Sequence, residues 1–293
     1  MTANDTFRAR RPWTAAMMAI VAVAAATLSA CDPARTNTDK PAGSTESAIT
    51  TESANATNVK LPPVHAGFDY QIGGPYAPSP GVAIVSRDHT TAPAAGLYSI
   101  CYVNAFQAQP GAQGQWPADL LLHDPKGQVV IDHDWNEALL DITTSAKRTR
   151  VAARIDHWID ECAGKGYNAV EPDNYDSYSR SDGLLTADDA KAFMTLLATH
   201  AHARGLAIGQ KNTADLAGSK GRTHVDFAVA EECAEYNECG TYASAFADHV
   251  VVIEYTDQGL HKACSAFGKR LSIVRRDRDV TTPGDAGYVR KTC

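Results

Sequence analysis

Short runs of apolar residues recur along the chain beyond residue 64 and predict eight β-strands. Most of the runs are near-continuous rather than alternating, which is typical of parallel strands that are buried on both faces. The runs occupy residues 65–73, 81–86, 97–106, 166–171, 205–212, 225–231, 249–255 and 270–276.

Two segments between these strands show the period of a helix. In residues 144–164 apolar side chains recur at spacings of three and four, and Gly166 marks the exit. Residues 186–204 start with Thr186, a favoured N-cap residue, and carry Asp189 in the first turn, where the helix dipole stabilises a carboxylate. Helices that alternate with strands predict a parallel sheet.

Eight parallel strands with intervening helices predict an α/β protein built as a single-domain (β/α)8 barrel, the TIM barrel. Residues 61–293 provide a length that suits one large domain of this kind. The segment 107–143 is longer and less regular than the other connections, so we expect an elaborated loop or a small insertion there.

The N-terminal part of the chain follows a different pattern. Residues 1–30 contain three arginines, then an Ala-rich apolar run and small residues before a cut, which predicts a secretory signal peptide. The alternative is a transmembrane helix, but an apolar run of about 17 residues is marginal for spanning a bilayer. Residues 31–60 are rich in Ser, Thr, Ala, Asn and Pro and predict a disordered tether.

The end of the apolar run, LSAC, resembles a bacterial lipobox. We therefore expect Cys31 to become the lipidated first residue of the mature chain, with plain secretion as the alternative. Several acyl chains on one Cys are sufficient for stable anchoring. The expected location is the periplasmic or extracellular face of a membrane, reached through the lipid anchor alone.

Net charge limits the partners. The chain has 27 Lys and Arg against 34 Asp and Glu, and removal of residues 1–30 leaves 24 against 33, a formal charge of −9. A chain this acidic is a poor general nucleic-acid binder. It suits cationic ligands, although the same charge also serves solubility alone. We expect a monomer.

Six cysteines remain beside Cys31, and an even number in an exported protein predicts disulfides. Six allow fifteen pairings. We expect a local staple between Cys233 and Cys239 and a bond that ties down the C-terminus between Cys264 and Cys293. Cys101 and Cys162 are then paired by exclusion. A metal site is the alternative, but it requires tight Cys and His spacings, and no CxxC is present.

Polar residues collect at the C-terminal ends of the predicted strands, whereas the opposite ends are Gly, Ala, Val and Leu. In a TIM barrel the chemistry lies at the C-terminal ends, so these residues are expected to line one mouth. They are Asp69, Tyr70, Tyr102, Glu171, Asp173, Asn174, Lys211, Asn212, Glu231, Glu232, Glu254 and Tyr255.

The fourth strand leads into VEPDN, where Pro172 ends the strand and restricts the turn that carries Asp173. Paired carboxylates are the groups that glycosidic bond cleavage requires, since one protonates the departing oxygen and the other attacks the anomeric carbon or activates water. Any single acid here is more simply explained as a salt bridge or helix cap. The cluster at matching strand ends favours catalysis.

Other chemistries fit the sequence less well. Metal-dependent barrel hydrolases use His pairs at strand ends, whereas His200 and His202 fall in a predicted helix. No GxSxG, GxGxxG or P-loop motif is present, which disfavours a serine nucleophile and nucleotides. Lys211 could form a Schiff base, but its acidic neighbours favour an ion pair. No metal or cofactor is expected.

Several segments together resemble one known family. They are GFDYQIGG, CYVNAF, GYNAVEPDNYDSY, LLTADDAKAFMTLLATHAHARGLAIGQKN, DFAVAEECAEYNEC and VVVIEY, and the likeness spans nearly all of residues 65–276. The family is glycoside hydrolase family 114, the endo-α-1,4-polygalactosaminidases. The resemblance implies a (β/α)8 barrel that cleaves α-1,4-linked galactosamine-rich polysaccharide without a metal.

The family's two catalytic acids lie in the EPDN and FAVxE motifs, which in this sequence correspond to Asp173 and Glu231. The resemblance implies Asp173 as nucleophile or base and Glu231 as general acid, with Glu232 as the alternative acid and Glu171 in support. The remaining polar residues of the mouth, Asp69, Tyr70, Tyr102, Asn174, Lys211, Asn212, Glu254 and Tyr255, would bind the sugars.

The expected substrate agrees with the charge of the mouth. Free amines of galactosamine are cationic near neutral pH, and the acids of the mouth would attract them through a force that salt screens. Two other functions stay open from the sequence: a non-catalytic polysaccharide-binding lipoprotein on the same barrel, and a hydrolase of another α-linked sugar.

Overall fold

The computed structural model describes residues 59–293. The predicted signal peptide, Cys31 and all but the last two residues of the predicted tether lie outside these residues. Twelve strands follow one another along the described chain: β1 (Gly67–Gln71), β2 (Val82–Asp88), β3 (Tyr98–Asn104), β4 (Gln107–Ala108), β5 (Ile131–Asp132), β6 (Glu137–Leu139), β7 (Ala169–Asp173), β8 (Ala207–Lys211), β9 (Phe227–Glu231), β10 (Val250–Glu254), β11 (Ser272–Arg276) and β12 (Arg290–Thr292).

Five α-helices accompany these strands, together with short 3-10 turns. They are α1 (Ser145–Lys165), α2 (Ala187–Ala203), α3 (Lys220–Thr223), α4 (Cys239–Ala245) and α5 (Asp257–Phe267). Within residues 59–293, no helix has the length and apolar character needed to cross a membrane.

The predicted barrel is confirmed. Strands β1, β2, β3, β7, β8, β9, β10 and β11 are neighbours in this order and pair in parallel, and each overlaps one of the eight predicted apolar runs. The register brings Tyr102 beside Glu171 and Asn104 beside Asp173. Polar residues that are distant in sequence therefore reach the same level at the mouth.

The two predicted helices form where their local signals place them. Thr144 Oγ1 accepts from the backbone N–H of Lys147 to cap α1, and Gly166 ends it with a left-handed φ of 88°, a conformation that suits Gly. At the start of α2, Thr186 and Asp189 exchange side-chain and backbone hydrogen bonds as a capping box.

Each barrel strand is buried on both faces, which explains the continuous apolar runs. Along β10, Val251 and Ile253 belong to the core inside the barrel, whereas Val250 and Val252 belong to the core between the barrel and its helices. This alternation has a period of two, and it also sorts the polar residues that follow at the strand ends.

The irregular segment 107–143 forms a small antiparallel sheet in the order β4-β6-β5, which we call the insertion sheet. Its Leu139 and the following Leu140 are fully buried in the same core as Val151 and Ile155 of α1. The insertion is therefore packed onto the barrel.

The N-terminal end of the barrel is closed by the start of the described chain. Val59 and Leu61 pack against the core inside the barrel. The hydroxyl of Tyr98, at the beginning of β3, donates to the carbonyl of Lys60 at 2.7 Å. Residues 59–61 thus form a plug at the end of the barrel opposite the polar strand ends.

The C-terminal residues close the side of the barrel. Strand β12 pairs antiparallel with β11, and the Arg290 side chain reaches across to β1, where it donates to the Phe68 carbonyl and lies 3.1 Å from Asp69 Oδ1. A disulfide from Cys264 of α5 to Cys293 fixes this end. The three predicted pairings are confirmed, with Cys101–Cys162 and Cys233–Cys239 as the others.

Candidate active site

Seven polar side chains continue the inward alternation of their strands and meet at the open end of the barrel. Tyr70 follows the inward-facing Phe68, for example, and Glu231 follows Val229. We call this group the mouth cluster. It consists of Tyr70, Tyr102, Glu171, Asp173, Lys211, Glu231 and Tyr255.

Lys211 is the centre of the mouth cluster. Its Nζ lies 3.1 Å from Glu171 Oε1, 3.0 Å from Asp173 Oδ1 and 3.6 Å from Glu231 Oε2, and it donates to the Tyr70 hydroxyl at 3.0 Å. Burial alone would lower the pKa of Lys211, but the surrounding carboxylates raise it well above its usual value. The ammonium therefore stays charged, which disfavours the Schiff-base role.

Asp173 is held as an anion. Burial acts to raise its pKa, but Lys211, the Tyr102 hydroxyl at 2.7 Å and the backbone N–H of Asn174 together lower it below the usual range. Asn174 has a left-handed φ of 65°, which Asn tolerates better than most residues. A carboxylate that stays ionised is suited to act as nucleophile or base.

Glu231 is fixed from the other side of the mouth. Asn212 Nδ2 donates to its Oε2 at 3.0 Å, and the backbone N–H of Glu231 donates to Asn212 Oδ1 at 2.8 Å. The Tyr255 hydroxyl donates to Oε1. Strands β8, β9 and β10 thus hold one carboxylate through its neighbours in the sheet.

Solvent exposure separates these two acids from the third. The side chains of Asp173 and Glu231 are 19% and 24% exposed, whereas Glu171 is fully buried. Glu171 accepts from the hydroxyls of Tyr70 at 2.9 Å and Ser86 at 3.1 Å, and burial raises its pKa despite Lys211. A substrate can reach the first two acids, whereas Glu171 forms the floor below them.

The carboxylates of Asp173 and Glu231, which solvent reaches, both lie close to the ammonium group of Lys211. Their distances from Lys211 Nζ, 3.0 Å for Asp173 Oδ1 and 3.6 Å for Glu231 Oε2, place these two oxygens at most 6.6 Å apart. This upper bound admits the separation of about 5–5.5 Å found in retaining glycosidases and excludes all but the lowest end of the range of about 6.5–9.5 Å found in inverting ones.

Three of the acids expected at the mouth are not in the cluster. Glu254 follows the outward-facing Val252 on β10, and its Oε1 accepts from the Ala234 backbone N–H at 2.9 Å. It lies beside Cys233 and Cys239, whose sulfurs are joined in a disulfide, so this group does not offer two thiolates to a metal.

Asp69 and Glu232 also face away from the mouth cluster. Asp69 is fully buried and accepts from the Tyr76 hydroxyl at 2.9 Å, with Arg290 beside it. Glu232 accepts from Arg278 Nη2 at 2.8 Å. Each of these residues is directly next in sequence to an inward-facing residue of its strand. Because successive side chains alternate between the two faces, both lie on the outer side.

Tyr70 and Asn174 were also expected to bind sugars, but their side chains are buried in contacts with the protein itself. Tyr70 is fully buried, so its ring packs below Lys211 and cannot offer a face to a sugar. Asn174 is buried and donates to Asn104 and to Glu137 of β6. Its side chain is committed to the insertion sheet.

The sequence reading missed several residues around the cluster. Ser86 continues the inward alternation after Ile84, so the period of two could have found it. Glu137 accepts from Asn104 at 2.9 Å and from Asn174 at 3.2 Å. It carries no local signal because it lies in the irregular segment, where only the tertiary fold brings it close.

A cavity of about 570 Å³ adjoins this region. It extends from Asn104 outward over the ends of β1 to β3 to α1, and its polar and aromatic lining suits sugar residues. The lining includes His89, Asn104, Gln107, Trp116, Arg154 and Trp158.

Two solvent-reached carboxylates across one cation, at the mouth of a parallel barrel, are the apparatus of glycosidic bond hydrolysis. The class of the protein is therefore the barrel glycoside hydrolases. The model of glycoside-hydrolase family GH114 matches residues 48–293, and the chain belongs to this family.

Solved structures agree with this membership. The chain is similar to Aspergillus fumigatus Ega3, solved in complex with galactosamine, at 26% identity over 82% of this chain and 100% of that chain, with a TM-score of 0.67. The glycoside hydrolase domain of PelA from Pseudomonas aeruginosa shares the fold, with 14% identity, coverage of 75% and 96%, and a TM-score of 0.51. No curated protein sequence matches the chain.

Proposed function

We propose that this glycoside hydrolase is an exported, endo-acting enzyme that cleaves α-1,4-linked galactosamine-containing polysaccharide with the carboxylates of Asp173 and Glu231. The observation that carries the proposal is the position of these two acids, whose oxygens lie 3.0 Å and 3.6 Å from Lys211 Nζ and whose side chains both reach solvent.

The environment of each acid suggests its role. Asp173 is held ionised by Lys211 and the Tyr102 hydroxyl, so it attacks the anomeric carbon or activates water. Glu231 then protonates the departing glycosidic oxygen. Glu231 is preferred to Glu232 because Glu232 faces outward and accepts from Arg278. Neither proton transfer nor nucleophilic attack in this scheme draws on a metal.

The upper bound on the separation of the two acids favours a retaining reaction. In that course Asp173 forms a covalent glycosyl bond while the leaving oxygen takes the proton of Glu231. Glu231 then removes a proton from water, which attacks the anomeric carbon and releases Asp173. NMR of the first product anomer distinguishes this course from inversion.

The charge of the mouth supports an aminosugar substrate. Even when Glu231 holds the proton of the general acid, Glu171 and Asp173 give two carboxylates to the one ammonium of Lys211, so the cluster keeps excess negative charge for a protonated amine. The similarity to a structure that contains galactosamine supports the same choice. The three disulfides indicate an oxidising compartment, and a lipid anchor at Cys31 is part of the proposal.

The test is incubation of the purified chain with partly deacetylated galactosamine polymer, followed by sizing of the products. We expect oligosaccharides, with undiminished yield in EDTA. Asp173→Asn and Glu231→Gln should each lower turnover by about 1000-fold or more because a catalytic carboxylate is lost, while polymer binding remains.

Two controls define the alternatives. Full N-acetylation of the polymer or added salt should slow cleavage, because the amine charge or its attraction is lost. A non-catalytic binding protein would yield no oligosaccharides and would bind equally well after either substitution. Cleavage of a different α-linked polymer, with the galactosamine polymer left intact, would overturn the substrate assignment.

A further inference from the structure

Glu137 is a buried carboxylate of the insertion sheet for which the proposed reaction has no role. Glu137 is 8% exposed, and its Oε2 accepts from Asn104 Nδ2 at 2.9 Å and from Asn174 Nδ2 at 3.2 Å. Asn104 ends β3, and Asn174 directly follows Asp173 at the end of β7. One side chain of the insertion thus joins two barrel strands.

Asn174 is constrained from all sides. Its Nδ2 also donates to Asn104 Oδ1 at 3.0 Å, and its Oδ1 accepts from Arg180 Nη2 at 2.9 Å. The backbone of Asn174 has a φ of 65° and donates its N–H to Asp173. A left-handed residue persists only where its surroundings fix it, and the side-chain contacts provide that restraint.

Arg180 connects the same restraint to the insertion a second time. Its Nε lies 2.6 Å from Asp132 Oδ2 of β5, and Asp132 Oδ2 also accepts from Gln107 Nε2 of β4 at 3.0 Å. Gln107 Nε2 also donates to Ser177 Oγ at 2.9 Å, so all three strands of the insertion sheet contact the segment that follows Asp173. An insertion needed only to cover apolar core would not require these buried polar links.

We infer that Glu137 is a positioning residue for the glycosidase reaction, which fixes Asn174 and through it the carboxylate of Asp173. The inference rests on the proposed function and adds to it a role for the insertion sheet. Glu137 acts through Asn174 and does not contact the sugar in this scheme.

The charge state of Glu137 supports a role in hydrogen bonding. The pKa of Glu137 is raised to about 7, chiefly by burial; the carboxylates of Asp173 and Asp132 contribute to the rise, and the amides of Asn104 and Asn174 oppose it. The hydrogen bonds from both side-chain amides are accepted by Oε2 of Glu137. A proton on Oε1 would leave both bonds in place, so the restraint survives across neutral pH.

Two substitutions separate position from charge. Glu137→Gln keeps an acceptor oxygen for both amides and removes the charge, whereas Glu137→Ala removes both. We expect kcat of Glu137→Ala to fall about 100-fold, the cost of a small misplacement of a reacting group. KM should stay within about 3-fold, and Glu137→Gln should recover kcat to within about 5-fold of the wild-type chain.

Ile131→Ala is the matched control. Ile131 lies on β5 and packs against the core, and its apolar side chain forms no hydrogen bond with Glu137 or Asn174. It weakens the packing of the insertion sheet but should leave kcat within about 3-fold. Equal losses of kcat in Ile131→Ala and Glu137→Ala would show that Glu137 acts only through the stability of the insertion.

A measurement without substrate keeps this inference separate from the proposed function. Carbon-13 NMR titration of the Asp173 carboxyl gives its pKa in each variant. Both Glu137 variants lack the charge, so only the hydrogen bonds differ between them. We expect a higher pKa for Asp173 in Glu137→Ala than in Glu137→Gln, because the N–H of Asn174 is no longer aligned.

Equal pKa values for Asp173 in the two variants, or equal kcat values in a chain that cleaves polymer, would overturn the positioning role. A wild-type chain that cleaves no polymer contradicts the proposed function instead. In that case the difference in pKa between the two variants still decides whether Glu137 positions Asp173.

Discussion

The inner and outer sides of the strand ends carry the same kinds of residue but do different work. On the inner side, Asp173 and Glu231 share a cation and reach solvent. On the outer side, Asp69 and Glu254 are buried and bound to the chain's own donors. The difference follows from one position along a strand, because successive side chains point to opposite faces. Residue type alone therefore does not identify a catalytic carboxylate.

The largest effect is expected from replacement of Lys211, the cation on the inner side of the strand ends. Lys211→Met leaves three carboxylates without their ammonium, so the pKa values of Asp173 and Glu171 should rise and turnover should fall about 1000-fold. Turnover on galactosamine polymer measures this. Arg290→Met, which removes a cation of the outer side, should leave turnover per folded molecule within about 3-fold. Equal losses of turnover would mean that the two sides are not functionally distinct.

The outer acid should show the reverse behaviour. Asp69→Asn breaks a buried ion pair with Arg290 and weakens the contact with Arg276, and a broken buried pair costs about 3–5 kcal/mol of unfolding free energy. Urea unfolding measures the loss, and turnover per folded molecule should change by less than about 3-fold. A variant of normal stability without turnover would move Asp69 into the active site.

A smaller change tests how the inner acid is kept ionised. Tyr102→Phe removes the hydroxyl that donates to Asp173 at 2.7 Å, so the pKa of Asp173 should rise. A hydrogen bond to a charged group contributes about 1.5–3 kcal/mol, which predicts that the acid limb of kcat/KM moves up by about 1 pH unit. As the pH is lowered, Tyr102→Phe should therefore lose activity at a higher pH than the wild-type chain does.

Tyr98→Phe is the matched control for this shift. Tyr98 lies on the same strand and the same face, but its hydroxyl donates to the Lys60 carbonyl at the plugged end. Its loss should leave the acid limb in place. A shift in both variants would mean that the acid limb does not report Asp173.

The smallest effect concerns the pH dependence of stability at Glu254. The pKa of Glu254 is raised to about 7, chiefly by burial; Glu232 and Glu235 contribute to the rise, and the Ala234 N–H and Lys262 oppose it. The folded chain then holds a proton that the unfolded chain releases at lower pH. Stability is full below the ordinary carboxyl pKa and falls as pH rises toward 7.

Glu254→Gln should remove this loss and stabilise the chain by about 1 kcal/mol at pH 8 relative to pH 5, after allowance for solvent screening. Urea unfolding at the two pH values measures the difference. Asp119→Asn, which alters an exposed pair with Arg150, should show no such dependence. If Glu254→Gln were no more stable than the wild-type chain at pH 8, the sign of the shift would be contradicted.

The sequence predicted those features whose signals are local. Apolar runs identified all eight barrel strands, and Thr186 with Asp189 located the start of α2. Strand ends combined with family motifs pointed to Asp173 and Glu231, whose roles stay a proposal. The outer placement of Asp69 and Glu254 follows from the period of two of a strand once Phe68 and Ile253 are known to face inward, which the near-continuous apolar runs do not reveal.

Other features depend on tertiary contacts that no local pattern encodes. Glu137 is separated by 37 positions from Asn174 and by 33 from Asn104, and it lies in a segment without a clear period. The contact of Arg290 with β1 and the position of the Tyr70 side chain below Lys211 likewise depend on how strands that are distant in sequence pair. Such contacts become visible only when the register of the sheet is known.

The plug formed by Val59 and Leu61 determines where the upstream chain joins the barrel. The junction is at the end remote from Asp173 and Glu231, so the point of attachment and the point of reaction face opposite ways. The described chain therefore enters the barrel at its closed end. A polymer that reaches the polar strand ends approaches from the opposite side and does not have to pass residues 59–61.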